Sequence, residues 1–596
     1  MCGIVGYIGT KNCLPILIKG LKRLEYRGYD SAGIAYRKNN SIIISKNTGR
    51  ISNLEKIINH EDSSTIGIGH TRWATHGRVT INNSHPHQVG NITVVHNGIL
   101  ENYQELKEEL LKHDYTFKTE TDTEVLCSYI DYEYNKSDSK DMLIILNDCL
   151  NKFIGSYAVA IMINNIKDKL FVIKKDSPLI ICIGENENYI ASDISAYSND
   201  TLGYIPLNDN EIGIISKDNI SIYKGGRKQA YEVKHIDYDF NDAEKDDYDH
   251  YMLKEIHEES SIASKLNNIY LDKLTKIPNI SKYKKIQIIG CGTAYHAGLV
   301  GKYLIEEFSN YEVNTYIASE YRYQKNFADK NTLVIAISQS GETADTLACI
   351  KKAKKQGCHT LSIVNVKNSS IAQVSDEVIY TEAGQEIAVA STKAYVSQIY
   401  ILSLLALKIG IKKKQLNINK IKTEYERLPK IIDQVANYDY EDIIKDFWQD
   451  NNIFFLGRNI DYVTVAEGSL KLKEISYIHS EAYQAGELKH GTISLIEKNT
   501  CVISVISNDH IAGKTISNIK EVKARGAYVI LLIKDSLNKN IDPSCYDMLI
   551  PLPNTINLLQ PIVNIIPLQL IAYYVAKKRG CDIDKPRNLA KSVTVE

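Results

Sequence analysis

The second half of this chain repeats itself, and the repeat limits what it can fold into. Ile286-Gln287-Ile288-Ile289-Gly290 is answered by Ile453-Phe454-Phe455-Leu456-Gly457, and 338–364 by 507–533, with Gly357 and Gly526 in equivalent places before a β-rich run. Each copy reads strand, Gly-rich turn, helix, an alternation that predicts α/β units with parallel strands. The copies differ after one strand. The first carries Ser338-Gln339-Ser340-Gly341-Glu342-Thr343 behind the apolar run 333–337, the second Ser507-Asn508-Asp509-His510. Only the first looks like a phosphate cradle: hydroxyls, an amide and free backbone N–H groups at the positive end of a helix can hold phosphate without a lysine. An N-cap with a tight turn uses the same residues, so both readings stay open on the loop alone. Gly290-Cys291-Gly292-Thr293 is a second turn of this kind.

The first half is strand-dominated. Runs at 3–8, 32–36, 41–45, 66–70 and 92–95 are β-rich and closed by Gly, Asn or Ser, while 14–24, 103–111 and 122–134 have helical spacing. The charged stretch 234–249 buries little and reads as a solvated connection, with a helix beginning at Tyr248-Asp249-His250-Tyr251. The most apolar stretch, 556–576, is interrupted by Asn557, Gln560, Pro561, Asn564, Pro567 and Gln569, which predicts a buried helix and not a lipid-exposed span. A net charge of -1 over 596 residues, with acids and bases interspersed, argues against nucleic acid or a membrane as partner and for small polar substrates. Eleven cysteines without CxxC spacing, and no charged-then-apolar leader before Cys2, predict free thiols in a reducing cytoplasm.

Loss of Met1 would leave the thiol and the free α-amine of Cys2 on one residue. An α-amine titrating at about 7.7–8.0 beside a thiol at about 8.5 is a nucleophile with its own base; a buried strand cysteine is the alternative. Polar clusters follow: Arg27 to Ser31, His70-Thr71-Arg72-Trp73-Ala74-Thr75-His76-Gly77, His85-Pro86-His87 and His96-Asn97-Gly98. Such histidine density suggests metal, but no convergent ligand spacing accompanies it. Asn97-Gly98 is either a hairpin turn or an oxyanion hole made of one side-chain amide and one backbone N–H. Thr121-Asp122-Thr123-Glu124 has capping-box spacing, which accounts for Asp122 as a helix-start carboxylate.

Together, Cys2-Gly3-Ile4-Val5-Gly6, the block 72–77, Asn97-Gly98 and Thr121 to Glu124 resemble the glutamine amidotransferase domain of the N-terminal-nucleophile hydrolases. The second half resembles the paired sugar-isomerase domains of the glucosamine-6-phosphate synthase family, through 338–343, Ala390-Ser391-Thr392-Lys393-Ala394, 471–477, Gly486-Glu487-Leu488-Lys489-His490-Gly491 and 586–596. The resemblance implies an α+β N-terminal-nucleophile αββα sandwich (2–217), a linker with entry helices (218–276), two α/β sugar-isomerase (SIS) domains with parallel sheets (277–416 and 444–586), and a C-terminal tail over the sugar site (587–596). By position it makes Cys2 the nucleophile, Asn97 and Gly98 the oxyanion hole, Arg72 the partner of the substrate carboxylate and Asp122 that of its ammonium, with Thr75 and His76 beside them and Trp73 as channel gate. Ser338, Gln339, Ser340 and Thr343 would bind phosphate, and Thr293 and Ser391 would line the sugar site. Lys591 would form the imine with the open-chain ketose, Glu474 would move the proton between C1 and C2 with Lys471 near it, and His490 would open the ring from a neighbouring subunit. Ala294, where many members carry serine, and Thr492, in place of a common proline, depart from the pattern.

The implied activity is conversion of fructose 6-phosphate and L-glutamine to glucosamine 6-phosphate and glutamate, the first step of amino-sugar synthesis. Ammonia would pass internally, in a homodimer with no metal or organic cofactor. A phosphoribosyl-transferring amidotransferase would need an acidic pyrophosphate-sugar loop, and a sugar-phosphate-sensing regulator a helix-turn-helix with a basic face; neither is evident.

Overall fold

The computed structural model describes residues 2–74, 76–197, 200–235, 245–309, 311–414, 417–539 and 541–594. It divides into two compact units, Met1–Ala243 with Ser592–Glu596, and Glu244–Lys591.

The first unit contains two seven-stranded antiparallel sheets. In one, strand Gly3–Ile8 lies between Asn188–Ala191 and Ile66–Arg72, with Ser31–Lys38 and Ser41–Thr48 beyond. In the other, Ile92–Leu100 lies between His87–Val89 and Gly155–Ile163. Period-two alternation assigns the faces. Ile4, Ile8, Ile66 and Ile68 meet Val95, Ala158 and Ala160 of the second sheet in one apolar layer, so the sheets are stacked face to face. Val5 and Tyr7, on the opposite face, pack against Leu14, Leu17 and Leu21 of helix Cys13–Leu24. Val94, Val159 and Ile161 pack outward against Leu126, Ile130 and Leu146, from helices Asp122–Lys136 and Met142–Lys152. The layers are helix, sheet, sheet, helix. The second sheet continues through Ile220–Lys224 and Arg227–Gln229, past residue 217.

The second unit carries two five-stranded parallel sheets of matching order. The first runs Val313–Ile317, Lys285–Gly290, Thr332–Ser338, His359–Val364, Glu377–Tyr380; the second runs His479–Gln484, Asn452–Gly457, Cys501–Ile506, Tyr528–Lys534, Met548–Leu552. The internal repeat is therefore two copies of one fold. They share a core, in which Ile288, Ile335 and Leu402 join Phe455, Ile503 and Ile565. The apolar stretch near the C-terminus forms helix Gln560–Lys578, buried along nearly its whole length. Lys393–Ile411 is the one helix among the described residues long and apolar enough to cross a membrane, and 89% of its apolar window is buried inside the protein.

Candidate active site

Cys2 precedes the strand Gly3–Ile8 and continues the alternation of Ile4, toward the second sheet. Its Sγ lies 3.3 Å from the Trp73 amide N, which donates to it, and 3.4 Å from the Trp73 carbonyl. Burial pushes the thiol up from its ordinary range, partly offset by that N–H and by Arg72. Across the layer, Asn97 Nδ2 donates to the Cys2 carbonyl at 3.0 Å. Asn97 and Gly98 lie within the strand Ile92–Leu100, paired to Ala158 and Tyr157, so they form no hairpin turn. Gly98 has φ +122°, and a Cβ there would stand 1.9 Å from the Ser156 carbonyl oxygen; only glycine fits.

Arg72, 3% exposed, donates to the carbonyls of His76, Gly77 and Arg78 and so gathers the loop after its own strand. Ala74 N is anchored on Asp30 Oδ2 at 2.9 Å. Asp122 begins its helix as expected, and its Oδ2 also accepts the Leu100 N–H at 2.8 Å, tying that helix to the strand of Asn97. Thr121 caps the helix by accepting from Glu124 N, whereas the Glu124 carboxylate turns to the Lys118 and Thr119 amides. The His76 ring meets Tyr103 edge-on at 5.2 Å, and Trp73 meets Tyr29 at 6.0 Å. Thr75 lies outside the described residues. The histidines hold no metal geometry: no group of three or more His, Cys, Asp or Glu among the described residues is arranged to bind an ion. His70, His85, His87 and His96 are all buried, and burial lowers each ring's pKa, that of His70 to about 3.

In the second unit, Thr293 and the 338–343 loop follow adjacent parallel strands at the same sheet edge. Ser338 Oγ lies 3.1 Å from Thr343 Oγ1 and accepts from Gly341 N at 3.0 Å, and Thr343 starts helix Ala344–Lys355. Gly341 has φ +66°, where a Cβ would stand 1.9 Å from Ser369 Oγ. With Gln339 and Ser340 between, the loop has the hydroxyls and N–H groups an oxyanion needs. In the second repeat the corresponding strand end is already filled. Asp461 accepts from Ser507 N at 2.9 Å and Ser507 Oγ at 2.5 Å, Asn564 donates to Ser507 Oγ at 2.8 Å, and Gln560 donates to Asn564 at 2.9 Å. Two polar interruptions of the apolar C-terminal helix thus serve a buried network around an internal carboxylate.

Lys471 and Glu474 share a helix face at 2.7 Å. Lys471 also pairs with Glu467 at 3.3 Å and donates to Thr293 Oγ1 at 3.0 Å. Burial opposes its charge, but Glu467 and Glu474 outweigh it and hold the ammonium well above the ordinary lysine range. Glu467 in turn takes Thr293 Oγ1 at 2.9 Å and His296 Nδ1 at 2.7 Å. Lys591, from the tail, donates to the Glu386 carboxylate, to the Ala388 carbonyl at 2.7 Å and to Ser391 Oγ at 3.2 Å. Glu386 also accepts the Thr392 and Ala394 amides at 2.9 and 3.1 Å. Its carboxyl is held below its usual range: burial alone would raise it, but Lys591 and these N–H groups outweigh that cost. Behind it, burial and Glu386 push Glu255 up to about 8.

The structure thus brings Cys2, Asn97, Gly98, Arg72, Trp73 and Asp122 together in one unit. In the other it brings Thr293 to Lys471, which pairs with Glu474, and Ser391 to Lys591. It leaves His490 apart, exposed on the short turn Leu488–His490, and no ring hydrogen bond to Thr293, Lys471, Glu474 or Lys591 occurs among the described residues. Glu386 and Glu467 are polar partners that sequence reasoning missed, while Asp30 and His70 stood in its polar clusters without a role. Glu467 had a usable signal, four residues before Lys471 on one helix face. Glu386 had none, because its partner is 205 residues away.

Comparison with known proteins agrees with this division. Residues 75–199 match the glutamine amidotransferase domain family, and residues 279–408 and 446–578 each match the SIS domain family. The chain is 48% identical over 614 residues to a glutamine–fructose-6-phosphate aminotransferase [isomerizing] of Clostridium tetani, and 44% identical over 624 residues to the one of Methanosarcina acetivorans, covering 100% of both chains in each case. The solved C-terminal domain of glucosamine-fructose-6-phosphate aminotransferase from Francisella tularensis, 40% identical with a TM-score of 0.55, covers 58% of this chain and 100% of its own. With an amidotransferase sandwich, two SIS repeats and full-length identity of this order, the chain belongs to the glutamine–fructose-6-phosphate aminotransferase (isomerizing) family.

Proposed function

We propose that this protein converts L-glutamine and D-fructose 6-phosphate to L-glutamate and D-glucosamine 6-phosphate. After loss of Met1, the Cys2 α-amine takes the thiol proton and sulfur attacks the side-chain amide of glutamine. Asn97 Nδ2 and the Gly98 N–H hold the tetrahedral oxyanion. Arg72 receives the substrate carboxylate and Asp122 its ammonium, charge types that match, with Thr75 and His76 beside them. Collapse expels ammonia, and water then cleaves the thioester to glutamate. The ammonia travels as the neutral species, since ammonium pays a large desolvation cost in apolar surroundings, with Trp73 beside the thiol as gate.

In the second unit, Ser338, Gln339, Ser340 and Thr343 hold the phosphate, Thr293 and Ser391 line the sugar, and His490 of a second copy opens the ring in a homodimer. Lys591 condenses with the C2 carbonyl, losing water; ammonia displaces the lysine, and Glu474 carries a proton from C1 to C2, with Lys471 fixing its charge. The observation that carries this reading is Lys591 itself, a tail lysine with its side chain 2% exposed, whose amine sits on Glu386 beside Ser391. An imine-forming lysine gives up a proton before it attacks, and a carboxylate in contact can accept it. Product analysis after mixing the protein with glutamine and fructose 6-phosphate tests the reading: glucosamine 6-phosphate and glutamate are expected in equal amounts, and glutamate with unchanged sugar would overturn it.

A further inference from the structure

His70, His85, His87 and His96, buried in the first unit, have no task in the reaction just described. Alternation along the strand Ile66–Arg72 turns His70 inward with Ile66 and Ile68, to face the strand of Asn97. The ring is 0% exposed, and its Nε2 lies 2.9 Å from the His96 carbonyl oxygen and 3.1 Å from Asn97 Oδ1. Both neighbours are acceptors, so Nε2 carries the proton and donates. That bond decides which way the Asn97 amide points. With Oδ1 held back by His70, Nδ2 is turned to the Cys2 carbonyl, 3.0 Å away. The opposite orientation would present an oxygen where the tetrahedral intermediate develops its negative charge.

We propose that His70 is a positioning residue for the oxyanion hole, locking the Asn97 side-chain amide with its N–H group toward the scissile carbonyl; the inference rests on amide hydrolysis at Cys2.

The other histidines support this ring. His85 stacks on it at 4.0 Å with 9° between the planes. The His85 Nδ1 accepts the His96 backbone N–H at 3.3 Å, which aligns the same strand, and its Nε2 lies 3.5 Å from Thr123 Oγ1. His96 Nδ1 shares that hydroxyl at 2.9 Å, and His87 Nε2 lies 3.3 Å from Thr121 Oγ1. Strand and helix are thus fastened through neutral rings. Neutrality matters for the lock, because a protonated neighbour would compete for the same acceptors. Imidazole is a flat donor–acceptor, so such rings can be stacked between sheets, as His85 is on His70.

The test compares wild type with His70→Leu, which removes the donor, and His70→Gln, whose amide can still donate to Asn97. Loss of an oxyanion-hole donor costs about 10²–10³ in kcat, and a freed amide that points correctly part of the time should lose about 10- to 100-fold. The expected result for His70→Leu is a fall of this size in kcat for glutamate release with KM for glutamine nearly unchanged, and partial recovery in His70→Gln. Alkylation of Cys2 by iodoacetamide, a displacement that forms no oxyanion, should keep its wild-type rate. If the leucine variant does not fold, His70→Asn carries the same comparison, since its shorter amide falls short of Asn97. Equal loss of alkylation and hydrolysis, unchanged hydrolysis, or glutamine no better than leucine would each overturn the proposal. Absence of glutamine hydrolysis in wild type would instead strike at the reading of Cys2.

Discussion

Replacing Lys591 separates its charge from its nucleophilicity. The amine spends its donors on Glu386, the Ala388 carbonyl and Ser391, and the Glu386 side chain is 0% exposed. Lys591→Met would leave that buried carboxylate with only two backbone N–H partners, and breaking a buried pair in this way costs about 3–5 kcal/mol, so the tail should also lose its docked position. Lys591→Arg keeps a cation opposite Glu386 and avoids most of that cost, but a guanidinium does not deprotonate near neutral pH and forms no imine. The arginine variant should therefore fold as the wild type does and release glutamate, yet make no glucosamine 6-phosphate. The assay adds borohydride in the presence of fructose 6-phosphate and locates reduced sugar adducts by peptide mass spectrometry. Wild type should be labelled at Lys591 and the arginine variant nowhere. Sugar attached to another lysine of the variant, or amino sugar formed by it, would rule out Lys591 as the imine-forming residue.

Three further outcomes are expected. Trp73→Ala should release glutamate in excess of amino sugar, because the proposed apolar gate is lost; equal yields would remove Trp73 from the ammonia path. A tag fused before Cys2, or retention of Met1, should abolish glutamine hydrolysis while fructose 6-phosphate still isomerises to glucose 6-phosphate, since acylation turns the α-amine into an amide; full hydrolysis in a sample shown by mass spectrometry to keep its extension would contradict this. Burial raises Asp461 from an ordinary 3.8 to about 6, so the fold favours its protonated form. That contribution is complete below pH ~4 and lost as pH rises through about 6, so stability relative to Asp461→Asn should fall by up to about 3 kcal/mol across this window, measured by urea unfolding at each pH. A flat difference would show that Asp461 titrates normally.

The parts of this molecule that were legible in its sequence are those set by local rules. A β-rich run with its closing turn residues placed the strand 3–8, helical spacing placed 103–111, and the repeated strand-turn-helix text placed two parallel sheets. Pairing across the fold was not legible. Nothing in the order of residues says that Glu386 meets Lys591, or that Asp461 fills the second cradle, because both depend on segments brought together by packing. Histidine density was visible and its spacing spoke against a metal set, but the stacking of His70 on His85 depends on strands brought together by packing. His490 marks a different limit: it is exposed in a single chain, and its proposed role needs a second copy.

In the proposed reaction, nitrogen released at Cys2 becomes the amino group of the sugar. Glutamine labelled with 15N in its side-chain amide, supplied with fructose 6-phosphate in buffer containing unlabelled ammonium, tests this in one mass spectrum of the product. The expected product is glucosamine 6-phosphate carrying 15N with little dilution by the buffer. Unlabelled glucosamine 6-phosphate, or labelled ammonia in solution with no amino sugar, would contradict it.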